Sequence, residues 1–254
     1  MFNTIKKFIA SLLSPAPNIV HAREDLRGLV VLVTGASRGI GEAISRVLLE
    51  EGASLVVVAR SKRELEAKFP DTSGASVLRI AADVTSESDV AHAVQEAIAK
   101  YGKIDVLVNN AGMFLEKPVD QITSEELNSL IQTNIAGVVR MTGAVVSHMK
   151  KNGGGLIINI GSKISHNTNV LPNKTLYAMT KYAVEGFSSA LRNELRPFGI
   201  RVTCLMPGTV NTFFSLKGGN YLHPRHVAQV ISMIIRLSDI AFEDFVIKSK
   251  NQDI

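Results

Sequence analysis

From Leu29 onward, short apolar runs rich in Val, Ile and Leu alternate with longer stretches whose apolar positions recur every three to four residues. The runs predict strands over Leu29–Thr34, Ser54–Ala59, Ser76–Ala81, Ile104–Asn109, Gly155–Ile160, Ile200–Met206 and Phe242–Lys248. The stretches between them predict helices near Ile40–Glu51, Glu64–Phe69, Ser86–Lys100, Ser124–Lys151, Leu176–Arg196 and Pro224–Leu237. Leu29–Val33 and Leu55–Val58 show no polar alternation, which marks strands buried on both faces of a parallel sheet. About seven strands separated by helices give an α/β fold, a doubly wound parallel sheet with right-handed crossovers. In that architecture ligands bind beyond the carboxyl ends of the strands, where the strand order reverses. No repeat or low-complexity tract interrupts the pattern, and residues 29–254 read as a single domain.

Residues 1–28 follow a different pattern. Phe2, Ile5, Phe8, Ile9, Leu12 and Leu13 fall at helical spacing with Lys6 and Lys7 on the polar side. Ser14-Pro15-Ala16-Pro17 then ends this amphipathic helix and begins a linker. Three readings stay open: a helix packed on the body or on a partner subunit, a weak membrane-surface contact through residues 2–13, or a cleaved targeting segment.

Composition narrows the classes. The 254 residues are 46% hydrophobic and 20% charged, the balance of a folded globular chain. The formal charge of +5 is scattered, and aromatics are 6% with no Trp, so neither the basic cluster nor the stacking platforms of a nucleic-acid surface are present. The apolar stretches are far short of the roughly 20 residues a membrane span needs. Cys204, the only cysteine, lies in an apolar run and reads as a small core residue. A reducing compartment fits, and the expected location is cytoplasmic, peripheral to a membrane if residues 2–13 bind one. The six His show no ligand spacing, so no metal is expected; His223 and His226 flank a helix start and read as surface or capping residues.

Three clusters carry chemistry. Thr34-Gly35-Ala36-Ser37-Arg38-Gly39-Ile40-Gly41 follows the first strand and opens a helix. Such a turn brings backbone close to a pyrophosphate and offers it a helix N-terminus. The second strand ends in Ala59-Arg60-Ser61. A carboxylate there would accept bonds from a ribose 2′-hydroxyl, whereas Arg60, with Arg38 nearby in the loop, suits a 2′-phosphate. Tyr177 and Lys181 stand four apart in a helical stretch and share a face, where an ammonium would lower the phenol pKa.

These residues resemble the short-chain dehydrogenase/reductase family, with a Rossmann-type sheet, over roughly Gly28 to Lys248. The glycine spacing, Asn109-Asn110-Ala111-Gly112 after the fourth strand and Pro207-Gly208 after the sixth all match. The resemblance implies that Gly35, Ser37, Arg38, Gly39, Ile40 and Gly41 hold the cofactor pyrophosphate. It implies that Arg60 and Ser61 face the adenosine ribose, that Asp83 and Val84 meet the adenine, and that Asn110, Ala111 and Gly112 flank the adenosine. A cap or turn role for Asp83 stays open. Pro207, Gly208, Val210 and Thr212 would hold the nicotinamide carboxamide.

The same resemblance implies catalysis by Asn134, Ser162, Tyr177 and Lys181. Tyr177 would exchange the proton, Ser162 would polarise the carbonyl, Lys181 would bind the ribose and lower the Tyr177 pKa, and Asn134 would hold a relay water. Ser162 and Tyr177 are fifteen residues apart, two more than is usual in the family, and the excess falls in His166–Asn173. Ser165 therefore stays open as a substitute for Ser162. The implied activity is NADPH-dependent reduction of a ketone, aldehyde or 3-oxoacyl carbonyl to an alcohol by a homodimer or homotetramer. Alcohol or hydroxysteroid-type oxidation with NADP, or a non-catalytic NADP(H)-binding scaffold or sensor, are the alternatives. Met113, Phe114, Leu171, Phe213 and Phe214 would give the small-molecule substrate a lipophilic lining, and the short segment from Ser215 to Leu222 would leave the site open.

Overall fold

The structure, a computed structural model, describes residues 22–71, 76–166, 170, 172–212 and 221–250. Seven strands form one sheet: β1 (Val30–Thr34), β2 (Ser54–Ala59), β3 (Val77–Ala81), β4 (Val106–Asn109), β5 (Gly155–Ile160), β6 (Ile200–Pro207) and β7 (Asp244–Ile247). Their order is β3-β2-β1-β4-β5-β6-β7, and every pairing is parallel. The strand order reverses between β1 and β4, so the loops after these strands open a crevice at the carboxyl edge. This is the doubly wound single-domain α/β fold that the apolar runs predict.

Side-chain alternation distributes the runs between two cores. Val31, Val33, Leu55, Val57, Val106 and Val108 face one side, buried under α1 (Gly39–Glu50) and, later in the chain, Pro224–Arg236. Val30, Leu32, Val56, Val58 and Leu107 face the other, buried under α3 (Glu87–Tyr101) and Gly137–Lys151. A short α2 (Lys62–Lys68) joins β2 to β3. Because both faces are covered, the interior positions of β1, β2 and β4 are all apolar.

The expected helix Ser124–Lys151 is divided. It runs as α4 (Ser124–Ile131), one wide turn with i→i+5 geometry over Gln132–Ala136, and α5 (Gly137–Lys151). Apolar periodicity continues on both sides of the wide turn, so the pattern alone hides it. α6 (Thr175–Leu195) and α7 (Pro224–Arg236) complete the helices, and α4 starts on a full capping box between Thr123 and Glu126. The packed body also begins before Leu29. Leu26 is fully buried, its N–H bonds Glu51 O, and the Arg236 side chain donates to the carbonyls of Arg23 and Glu24. The expectations for residues 2–13 and for Leu171, Phe213 and Phe214 lie outside the described residues, and those for the Ser215–Leu222 segment lie mostly outside them.

Candidate active site

The glycine turn after β1 is shaped by close backbone approach. Gly35 sits at φ +65°, and a Cβ there would stand 2.9 Å from Ala111 Cα. A Cβ on Gly41 would meet Gly35 O at 2.3 Å, so the first turn of α1 can lie against the loop only without a side chain. Asn110 seals the junction: its Nδ2 donates to Thr34 O (2.9 Å) and Gly35 O (3.2 Å), while the N–H groups of Asn110 and Ala111 both donate to Thr34 Oγ1 (3.0 Å each). Arg38 takes the N-cap position of α1 with no side-chain cap, leaving first-turn N–H groups for a ligand oxygen. The Thr212 methyl lies 3.6 Å from the space a Gly39 Cβ would fill, so the Pro207–Thr212 segment and the glycine loop border one cleft. Gly208 N–H bonds Ile247 O, and Val210 bridges Leu222, which fixes that segment. Ser37 and Val210 are buried.

At the ends of β2 and β3 the expected residues divide their roles. Arg60 is exposed beside the cleft, as is Arg38 at the neighbouring strand end. Ser61 caps α2, accepting from Glu64 N at 3.2 Å. Asp83 closes a turn, its Oδ1 accepting from Thr85 N (2.9 Å), so the turn role is real. Val84 is buried against Gly137, where any Cβ would meet its Cγ2 at 2.8 Å. Ile40 and Gly112 are half-buried or exposed at the cleft edge.

Tyr177, Ser162 and Lys181 come together beyond β5. The Ser162 hydroxyl lies within interaction reach of the Tyr177 hydroxyl and lowers its pKa. Lys181 is 8% exposed; its Nζ donates to Ile160 O at 2.8 Å and lies 5.8 Å from the Tyr177 ring centroid. Burial lowers the Lys181 ammonium to about 8. Cys204 nearby is pushed up to about 11 by burial, so it is a neutral thiol that gives Lys181 no counter-charge at pH 7. For Tyr177 the expected depression by the ammonium is not the dominant effect. Burial pushes the phenol above the ordinary tyrosine value, and the Ser162 hydroxyl pulls it only partly back.

Ser165 is not a substitute for Ser162. It is 4% exposed, and its hydroxyl is donated to Ser162 O at 2.9 Å. Asn134, at the centre of the wide turn, is spent on the fold as well. Its Oδ1 accepts from Met113 N (2.7 Å), and its Nδ2 donates to Met113 O (2.9 Å) and Thr180 Oγ1 (3.1 Å). The side chain thus clamps the segment after β4 to α6.

The packing shows what several further residues do. Asn109 Nδ2 donates to Asn159 Oδ1 (2.9 Å) and Thr142 Oγ1 (3.0 Å), and Asn159 Nδ2 donates to Ser188 Oγ (2.9 Å). This buried network ties β4 and β5 to α5 and α6 near Ser162, Tyr177 and Lys181. His223 caps α7, with His223 Nδ1 accepting from Arg225 N and His226 Nδ1 from His223 N, as the capping reading anticipates. Among the described residues, no group of three or more His, Cys, Asp or Glu can hold a metal ion, and no helix is long and apolar enough to cross a membrane.

Comparison with known proteins agrees with this geometry. The family model for short chain dehydrogenase matches residues 29–218. A 3-ketodihydrosphingosine reductase of Bacteroides thetaiotaomicron is 37% identical over 186 residues, 73% of this chain and 65% of that one. Among solved structures, an alcohol dehydrogenase from the archaeon Thermococcus sibiricus, complexed with 5-hydroxy-NADP, superposes with a TM-score of 0.81 at 30% identity, covering 89% of this chain and 98% of that one. A 3-ketoacyl-(acyl-carrier-protein) reductase from Brucella melitensis, complexed with NADH, gives 0.81 at 32% identity, covering 88% and 98%.

Proposed function

Since this chain belongs to the short-chain dehydrogenase/reductase family of oxidoreductases, we propose that it reduces a carbonyl compound to an alcohol with NADPH. The observation that carries the reading is the convergence of the Ser162 and Tyr177 hydroxyls beside Lys181. Two hydroxyls within interaction reach of each other define a point where one carbonyl oxygen can accept from both. The cleft between the glycine loop and Thr212 fits a dinucleotide, because Gly39 puts no side chain toward Thr212, while Gly35 and Gly41 let the loop and the helix start pack closely behind it. When bound, the reduced nicotinamide supplies the hydride. Tyr177 then gives its proton to the substrate oxygen, Ser162 donates to the same atom, and Lys181 holds a positive charge beneath both.

Burial keeps Tyr177 in the protonated form that the reductive direction requires. A phenol held above its ordinary pKa is protonated at neutral pH and ready to act as an acid. The scaffold alternative has less support, because a protein that only senses the cofactor needs no serine–tyrosine–lysine cluster. The apolar Met113 and Phe114 beside the cluster favour a lipophilic carbonyl substrate. Val139 on α5 and Met179 and Tyr182 on α6 are large and exposed, which favours assembly of two or four copies through these helices.

Ser162→Ala is expected to lower kcat by roughly 10²–10³, the usual cost of losing one donor to a developing oxyanion. Ser165→Ala should leave kcat within a few-fold of wild type, since its hydroxyl faces Ser162 O. Steady-state NADPH oxidation with a ketone panel measures both, and equal losses would remove the assignment of Ser162.

NADPH preference rests on Arg60, exposed at the end of β2 where no carboxylate stands. A charge-assisted contact to phosphate contributes about 1.5–3 kcal/mol, or roughly a 10–100-fold preference. Arg60→Asp should lower kcat/KM for NADPH by about that factor and raise it for NADH. A wild-type protein that oxidises NADH better than NADPH would overturn the cofactor assignment and leave the catalytic cluster untouched.

A further inference from the structure

Tyr177 sits in a row of four side chains. Its ring meets the Phe114 ring edge-to-face, with centroids 5.0 Å apart and planes at 74°. Lys174 Nζ lies 5.8 Å from the Phe114 ring centroid, and Lys181 Nζ lies 5.8 Å from the Tyr177 ring centroid. Cation–π attraction acts within about 6 Å, so each ring has an ammonium within reach. The order is Lys174, Phe114, Tyr177, Lys181.

The segment carrying Phe114 is held at both ends. Asn134 grips Met113 through its N–H and its carbonyl, so the residue before Phe114 cannot shift along the chain. Beyond Phe114, Glu116 pairs with Lys174 at 3.8 Å, and Lys117 N donates to Asn173 O at 2.7 Å. Lys117 Nζ is anchored in turn on both oxygens of Glu126 at 2.9 Å each. Phe114 with Tyr177, Glu116 with Lys174, and Lys117 with Asn173 form an antiparallel zipper between the loop after β4 and the start of α6. This zipper borders the substrate side of the cluster, and Asn173 in it is the one non-glycine residue with positive φ among those described (67°).

We propose that Phe114 is a positioning and specificity-determining residue. Its ring, braced by Lys174, fixes the Tyr177 phenol and forms the apolar wall against which one substituent of the substrate's carbonyl carbon must lie. The substrate class that fits is an uncharged ketone or aldehyde with a slim alkyl or aryl group on that side, because the wall is anchored and cannot retreat. This rests on the carbonyl-reductase reading above. The ring also excludes water from Tyr177, consistent with burial being the main influence on the phenol's proton affinity.

Phe114→Ala, Phe114→Leu, Lys174→Met and Lys174→Arg test it against a ketone pair, one with a linear and one with a tert-butyl group on the carbonyl carbon. Phe114→Ala is expected to lower kcat for the linear ketone about 10–100-fold, the scale of a misplaced reacting group. It should also move the kcat/KM ratio about tenfold toward the tert-butyl ketone, as an enlarged apolar pocket does. Phe114→Leu should fall between, which covers the case in which the alanine variant folds poorly. Lys174→Met should repeat part of the loss, and Lys174→Arg should restore it.

A second readout needs no turnover. Ultraviolet titration of tyrosinate, with the Tyr177→Phe protein subtracted, should show the Tyr177 phenol ionising at lower pH in Phe114→Ala than in wild type. Equal scaling of both ketones with an unmoved titration would overturn the proposal. If wild type reduces no ketone, the carbonyl-reductase reading fails. The titration then decides alone: an unmoved phenol in Phe114→Ala overturns the positioning role, and a lowered one supports it.

Discussion

Tyr177→Phe will lower kcat by roughly 10²–10⁴, the contribution of a positioned general acid, while leaving NADPH binding and the melting temperature nearly unchanged. The substitution removes one oxygen and keeps the ring, so the Phe114 contact at 5.0 Å and the packing over Lys181 survive. Only the proton donor and its interaction with Ser162 are lost. Rapid-mixing measurement of NADPH oxidation gives the rate, and quenching or enhancement of cofactor fluorescence gives the affinity. Turnover equal to wild type in the phenylalanine variant would exclude Tyr177 as the acid. A loss confined to KM would instead mean that the hydroxyl binds substrate without transferring a proton.

The same reasoning gives the pH dependence its sign. The phenol is the required form for reduction, and burial holds it protonated above the ordinary tyrosine value. A profile of kcat/KM against pH is therefore expected to fall on the alkaline side near pH 8 through Lys181, whose buried ammonium is lowered to about 8, and not through the phenol. Conversion of its ammonium to a neutral amine removes the positive charge beneath the reacting oxygen.

How much of this was legible in the sequence depended on whether a residue's role is local. Strands β1 and β2 announce themselves because burial on two faces leaves no place for polar residues, and the residues of β1 and β2 do alternate between two cores. Gly35 and Gly41 are legible because the positive-φ turn and the helix start that carry them lie within seven residues, although the backbone Gly35 makes room for, at Ala111, lies far along the chain. The roles of Asn134 and Phe114 are not local. Asn134 binds backbone twenty-one residues away, and Phe114 meets a ring sixty-three residues away, with no period linking the partners. The wide turn at Gln132–Ala136 escapes for the same reason, since the apolar stripe resumes after it. Leu26 looked like linker because it stands alone as an apolar residue among charged neighbours, yet it closes the core beneath Glu51.

Lys181→Met is expected to abolish most of the activity and at the same time stabilise the cofactor-free protein at neutral pH. The ammonium is almost fully buried, with one carbonyl acceptor at 2.8 Å and no counter-charge. Its folded pKa of about 8 lies below the value of 10.5 that an unperturbed lysine has. Between these two values the unfolded chain binds more protons than the folded one, so stability rises with pH across that window. Below it the whole cost is present, roughly 3 kcal/mol for a shift of this size. Methionine fills similar volume without the charge, and leaves Ile160 O short of a partner at a cost of about 1–3 kcal/mol. The net gain near pH 7 is therefore about 1 kcal/mol, and a chain of this length converts that to a rise of roughly 2–4 °C in Tm. The difference between variant and wild type should shrink and then change sign as pH climbs from about 8 toward 10.5, because the wild-type lysine becomes neutral and regains its fit. Paired urea titrations of the two proteins across that range isolate the lysine from every other titrating group. A difference that stays flat with pH would mean that Lys181 keeps its ordinary proton affinity in the fold, and the charge beneath Tyr177 would then persist well above pH 8.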